Sequence, residues 1–148
     1  MPRVEKKRTI GASPEEIWEL VSDPYHLPRW WPGVERVEEV SELAWTTVLL
    51  TPKGRTVRAD YSHVSAQEPE RLSWRQEVEE SPFERIMSEA ITELSLEPAG
   101  AETLVRLEAR ISLRGFSRLG MFQVGRATAG QLEGALEGIE RALGSRSG

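Results

Sequence analysis

Cysteine is absent from the 148 residues. That removes disulfides, thiol nucleophiles, iron–sulfur clusters and cysteine-based zinc sites together. Histidine is scarce: with only His26 and His63 there are too few imidazoles for a histidine-rich metal site, and no metal or other cofactor is expected. No apolar run approaches the roughly 20 residues a spanning helix needs, so stable membrane insertion is not expected either. The opening "MPRVEKKRTI" lacks the apolar centre of a signal peptide, which points to a cytoplasmic protein. A basic balance is missing too. The net charge of −5 argues against nucleic-acid binding, since phosphates need a basic face. The one basic cluster, Lys6, Lys7 and Arg8, sits in an expected strand and reads as a solvated face, not a docking patch. There is no internal repeat, low-complexity segment or second domain, and nothing in the sequence sets an oligomeric state.

What is present describes one globular domain. Hydrophobic residues make up 39% and charged residues 29%, in a chain long enough to bury a single substantial core. Residues 3 to 10 alternate weakly and end on Ile10, as a first strand would. "SPEE" then starts a helix: Ser13 caps, Pro14 suits the first helical position, and Glu16 completes a capping box. Ile17, Leu20 and Val21 share a face, and the helix ends before Pro24. Asp23-Pro24 begins a second, very short helix that Pro28 and Pro32 hold to a turn or two.

From Val34 to Leu113 the pattern becomes strands divided by "TPKG", "QEPE", "ESPF" and "EPAG", spaced for antiparallel neighbours with no room for crossover helices. Val105, Leu107, Ala109, Ile111 and Leu113 face one way. Ile86, Ala90, Thr92, Leu94 and Leu96 form a second inward run, Leu72, Trp74, Gln76 and Val78 a third, and Val57, Ala59, Tyr61 and His63 a fourth. Arg58, Arg75, Arg106 and Arg110 fall on the opposite, charged face, so the sheet has one dry side. From about Ser117 to Leu143 one long helix carries the stripe Leu132, Leu136, Ile139 and Leu143, extended backward by Thr128, Gly125 and Met121, with Phe122 at its margin. Gly130, Gly134 and Gly138 lie on the other face, where they read as compositional drift in preference to close contact with a partner.

This order, together with "SPEEIWELVSDPYHLPRWWPGV", resembles the polyketide cyclase/dehydrase and lipid-transport superfamily, the START-like, helix-grip fold also seen in the birch-pollen allergen family. The resemblance implies an α+β fold: a curved antiparallel sheet of about six or seven strands around a long C-terminal helix, with two short helices after the first strand. It also implies an elongated apolar cavity between sheet and helix, closed at one end by the short helices. Trp30 and Trp31 would sit near that mouth, either as a plug of the fold or as ligand contacts.

No nucleophile elbow, zinc-protease motif or phosphate loop is present, and no catalytic residue is assigned. The resemblance implies inward Arg, Tyr or Ser groups in the enzymatic cyclases, whereas the strand arginines here face outward. Tyr61, Gln76 and Thr92 are expected to supply the few polar atoms of an apolar pocket; His63, near a strand end, is one register step from pointing outward. The expected ligand-binding set is Trp30, Trp31, Tyr61, His63, Trp74, Gln76, Thr92, Leu107, Met121 and Phe122, with a small hydrophobic molecule (lipid, fatty acid or polyketide-like) as partner. Two other functions share the sequence: a polyketide cyclase or dehydratase using the same cavity, and a protein-interaction module like the chaperone activators, whose paired-Trp element "LPRWWPG" is similar to.

Overall fold

Ser13 organises the first turn of the chain. In the computed structural model, which describes residues 3–115 and 118–144, its hydroxyl accepts from the Glu16 amide at 3.2 Å while the Glu16 carboxylate accepts from the Ser13 amide at 3.4 Å. Pro14 follows at the first helical position of α1 (Pro14–Val21), which directs Ile17, Trp18, Leu20 and Val21 into the core. Asp23 caps the next turn through the Tyr25 amide, and the 3-10 turn Pro24–His26 leads into the four-residue α2 (Leu27–Trp30).

Seven strands surround these helices: β1 (Arg3–Ile10), β2 (Val34–Glu38), β3 (Ala44–Leu50), β4 (Thr56–Gln67), β5 (Arg71–Gln76), β6 (Met87–Ala99) and β7 (Glu102–Leu113). They form one antiparallel sheet in the order β1-β7-β6-β5-β4-β3-β2. Irregularities at Val34/Arg36, His63/Ser65 and Met87/Glu89 interrupt the register, and such bulges bend and twist a strand. The helix α3 (Arg118–Gly144) packs on the dry side, with Leu132, Leu136, Ile139 and Leu143 buried together with Leu94, Val105 and Leu107 of the sheet. The helix-grip α+β fold expected from the sequence is the observed one, with seven strands. Ser117, the expected start of the long helix, lies outside the described residues; the described helix begins at Arg118.

Three local expectations are corrected. Gly134 and Gly138 are not compositional drift. A Cβ on Gly134 would stand 2.8 Å from the Pro32 Cγ, and one on Gly138 would overlap the Trp30 carbonyl, so these two glycines let α2 lie directly against α3. Of the three, only Gly130 faces open space. The basic cluster is not simply solvated: β1 is an edge strand whose even-numbered residues turn toward α3, bringing Lys6 to Glu133 at 3.6 Å and Arg8 to Glu140 at 2.8 Å and Glu137 at 3.7 Å. Lys7 alone of the three is fully outward. Finally, Ile86 is exposed and not inward, because the bulge between Met87 and Glu89 shifts the phase of β6 and turns Met87 toward the sheet's dry side instead.

Candidate functional site

The sheet and α3 do not close completely on one another. Between them lies a cavity of about 240 Å³, floored by β3 to β7, roofed by Val124, Thr128, Gln131 and Leu132 of α3, and bounded at one end by Leu27, Trp31 and Val34. The register explains which strand residues reach it. Trp45, Tyr61 and Gln76 are consecutive partners across β3, β4 and β5, and Trp74, Thr92 and Ala109 are consecutive partners across β5, β6 and β7. Cross-strand partners share a face, so each row presents its side chains together. Both rows line the cavity.

Aromatic rings dominate the wall. Trp45 and Tyr61 stack with centroids 5.7 Å apart and planes 11° apart, and Trp31 meets Trp74 edge-on at 6.0 Å. Phe83, from the 3-10 turn Pro82–Arg85, adds a fifth ring. The polar groups are neutral: the Thr47 hydroxyl is engaged by the Trp45 indole N–H at 3.1 Å, and Tyr61, Gln76, Thr92, Thr128 and Gln131 supply the rest. No charged side chain contributes to the wall among the described residues. Burial pushes the Tyr61 hydroxyl up to about 12, so it is a phenol at neutral pH, able to donate a hydrogen bond but not to act as a base.

Of the ten residues expected to contact a ligand, the structure brings Trp31, Tyr61, Trp74, Gln76 and Thr92 to the cavity. The other five are elsewhere. Trp30 is 2% exposed and packs edge-on against Trp31 at 5.5 Å, on the side away from the cavity wall, with its carbonyl against Gly138. The paired tryptophans therefore divide: Trp30 is the plug of the fold and Trp31 is cavity wall. Leu107 is wholly buried in the core beneath the cavity residues. Met121 and Phe122 are exposed, because in these turns of α3 Val124 and Thr128 take the inner side, which leaves Phe122 on the outer side and Met121 at the margin. His63 does not line the cavity, although its ring lies 4.8 Å from that of Trp45 and it stands opposite Trp74, both of which do.

That position has a consequence for stability. The His63 Nδ1 is buried without a partner, and burial lowers the imidazole's pKa below its ordinary 6.5. As pH falls through 6.5 the unfolded chain takes up the proton before the folded one, so stability declines below that value. His63→Gln is expected to flatten this slope: urea midpoints measured from pH 8 down to pH 5 should converge for the two proteins at the acid end if the wild type starts higher. Equal slopes would show that His63 does not titrate against its burial.

The residues that sequence reasoning missed are Leu27 and Val34 at the closed end, Trp45, Thr47 and Leu49 of β3, Phe83 and Met87 around the bulge, Ile91 of β6, and Val124 and Gln131 of α3. In "AWTTVLL" Trp45 through Val48 are all buried, so no alternation marks the inward set.

The chain is similar to several solved structures. A protein from Thermus thermophilus superposes with a TM-score of 0.79 at 22% identity, covering 99% of this chain and 100% of that one. A START superfamily protein from Mycobacterium smegmatis gives 0.76 at 16% identity, over 93% and 94%. The di-domain ARO/CYC StfQ from the steffimycin biosynthetic pathway gives 0.80 at 12% identity, over 99% of this chain and 51% of that one. At such identities the likeness shows a shared fold. No curated protein matches the sequence. The sequence profile of one family does match, over residues 1–144. With its sheet, gripped helix and cavity in the arrangement described above, the chain belongs to the polyketide cyclase / dehydrase and lipid transport family.

Proposed function

We propose that this protein binds and carries a compact, uncharged, largely aromatic molecule in the cavity between sheet and α3. The observation that carries the reading is a wall of five aromatic rings and neutral polar groups without a single charged side chain among the described residues. A carboxylate or phosphate taken inside would be desolvated with no counter-charge, at a cost of several kcal/mol. The size points the same way. A cavity of about 240 Å³ is slightly below the range of about 300–1,000 Å³ usual for drug-sized ligands. At a liquid water's share of about 30 Å³ it holds the equivalent of about eight waters, room for a molecule of roughly ten heavy atoms. Tyr61 and Gln76, directly opposite one another, would orient a hydroxyl or carbonyl at the edge of such a ring system.

A cyclase-type role, favoured by the likeness to the ARO/CYC proteins, would use the same cavity. It needs a group that exchanges a proton near neutral pH. Tyr61 stays protonated and His63 is off the wall, so carriage is the better-supported reading. The interaction-module reading fares worse, because Trp30 is buried and Trp31, partly buried, lines the cavity, so the pair forms no fully exposed apolar patch.

The test is a matched pair of two-ring ligands, 2-naphthol and 2-naphthoate, titrated by tryptophan fluorescence. At neutral pH the naphthol is expected to bind at least ~30-fold more tightly, since the carboxylate must shed its hydration unpaired. Gln76→Leu should weaken naphthol binding about 5- to 10-fold while leaving naphthalene unchanged, as removal of one hydrogen bond would. Equal affinity for the naphthoate would contradict the reading.

A further inference from the structure

The half of α3 that roofs the cavity has an outer side as well. Between Glu108 and Glu133 the chain carries no acidic residue but four arginines, Arg110, Arg114, Arg118 and Arg126, in a protein whose net charge is −5. Three of them belong to the segment that turns into α3 and to its first turns. On the helix, Arg118, Phe122 and Arg126 follow at i, i+4 and i+8, with Leu119 three residues before Phe122, so all four share one face. That face is open to solvent: Leu119 is 66% and Phe122 61% exposed, and the Arg126 guanidinium lies 6.0 Å from the centre of the Phe122 ring. Val124 and Thr128, on the other side of the same turns, line the cavity. Next to the helix start, the Arg114 amide donates to the Ile86 carbonyl at 3.0 Å, bringing a further exposed apolar side chain to the same end of the sheet.

We propose that this face docks the protein on an anionic lipid bilayer, with Leu119 and Phe122 entering the headgroup layer and Arg118, Arg126 and Arg114 among the acidic headgroups. Large apolar side chains set between arginines on the outer face of a helix are what an interfacial helix needs, and the attraction is complementary in sign. A second copy of the chain fits less well. A twofold contact places the same patch against itself, so the arginines of the two copies would oppose one another across it. On the helix face itself no acidic side chain offsets the arginines, since the next acidic residue along the chain is Glu133. Docking this face would bring the cavity roof to the bilayer, where an apolar ligand is stored; the proposal stands whichever small molecule the cavity takes.

The experiment is co-sedimentation of the intact protein with vesicles of phosphatidylcholine containing about 30% phosphatidylserine, and with phosphatidylcholine alone, at low and high salt. Binding to the anionic vesicles, at least ~10-fold stronger than to the neutral ones and reduced by salt, is expected. Each arginine near the surface contributes about five-fold, so Arg118→Gln with Arg126→Gln should weaken binding about 25-fold. Leu119→Ser with Phe122→Ser should weaken it comparably, while the far-UV spectrum and naphthol binding of all variants stay as in the wild type. No binding to the anionic vesicles at low salt would overturn the proposal, as would variants that bind like the wild type. So would a concentration-dependent dimer that Phe122→Ser dissociates, which would make a second copy the occupant of this face.

Discussion

Ending the chain after Gly115 is expected to abolish the folded state. Leu132, Leu136, Ile139 and Leu143 of α3 are all at most 7% exposed, and they cover Leu94, Val105 and Leu107, which are at 0%. Burying four such side chains contributes about 1.5–3 kcal/mol each, on the order of 6–12 kcal/mol together. That equals the whole net stability of a typical domain, about 5–15 kcal/mol. The ion pairs of Lys6 and Arg8 to the helix would go as well, but exposed pairs contribute little beside the apolar loss. Thermal melts followed by circular dichroism should show no cooperative transition in the shortened chain, which would instead aggregate or bind an apolar dye. A cooperative melt close to that of the full chain would mean that α3 is an accessory to the sheet and not half of its core.

The second large effect comes from a single methyl group. Gly138→Ala is expected to cost about 2 kcal/mol or more, although alanine is intrinsically better in a helix by about 1 kcal/mol. The new Cβ overlaps the Trp30 carbonyl, a backbone atom that cannot rotate away, so α2 must lift off α3. Gly134→Ala meets only the edge of the Pro32 ring, at 2.8 Å, and should cost less. Gly130→Ala faces open space and should stabilise by up to about 1 kcal/mol. Urea midpoints for the three variants would rank them in that order, and Gly138→Ala matching Gly130→Ala would refute the close-approach account. Because Trp31 follows directly on α2, the Gly138 variant should also weaken ligand binding, which links the glycine pair to the site.

The parts of this architecture that sequence makes readable are those where one rule acts alone. Ser13, Pro14 and Glu16 specify a helix start by themselves, and the alternation of β7 is undisturbed, so Val105, Leu107 and Ala109 are inward as read. The resemblance carried by the first two helices supplied the topology that periodicity cannot. Trp31, Tyr61, Trp74, Gln76 and Thr92 could be picked out because they stand in phase with apolar neighbours on regular strands or next to the end of a proline-limited helix. The remainder depends on geometry between elements. Ile86 and Met87 exchange places at a bulge, and no residue in "ERIMSE" announces the extra position. Met121 extends the helical stripe in sequence with Phe122 at its margin, but in the first turns of α3 the inner side is taken by Val124 and Thr128, so neither of the two reaches the cavity. Gly134 and Gly138 have a reason only when α2 is seen lying across them.

The central claim is that the cavity is a ligand site, and the tryptophans allow a direct test. Of the five indoles, Trp31, Trp45 and Trp74 line the cavity, whereas Trp18 and Trp30 are buried in the core away from it. Their N–H groups give separate signals in a nitrogen–proton correlation spectrum, and 2-naphthol is titrated against the labelled protein. The account predicts saturable shifts of the Trp31, Trp45 and Trp74 signals with one common affinity, while those of Trp18 and Trp30 hold still. Shifts confined to Trp18 or Trp30, or no saturable shift from any of the five, would contradict it.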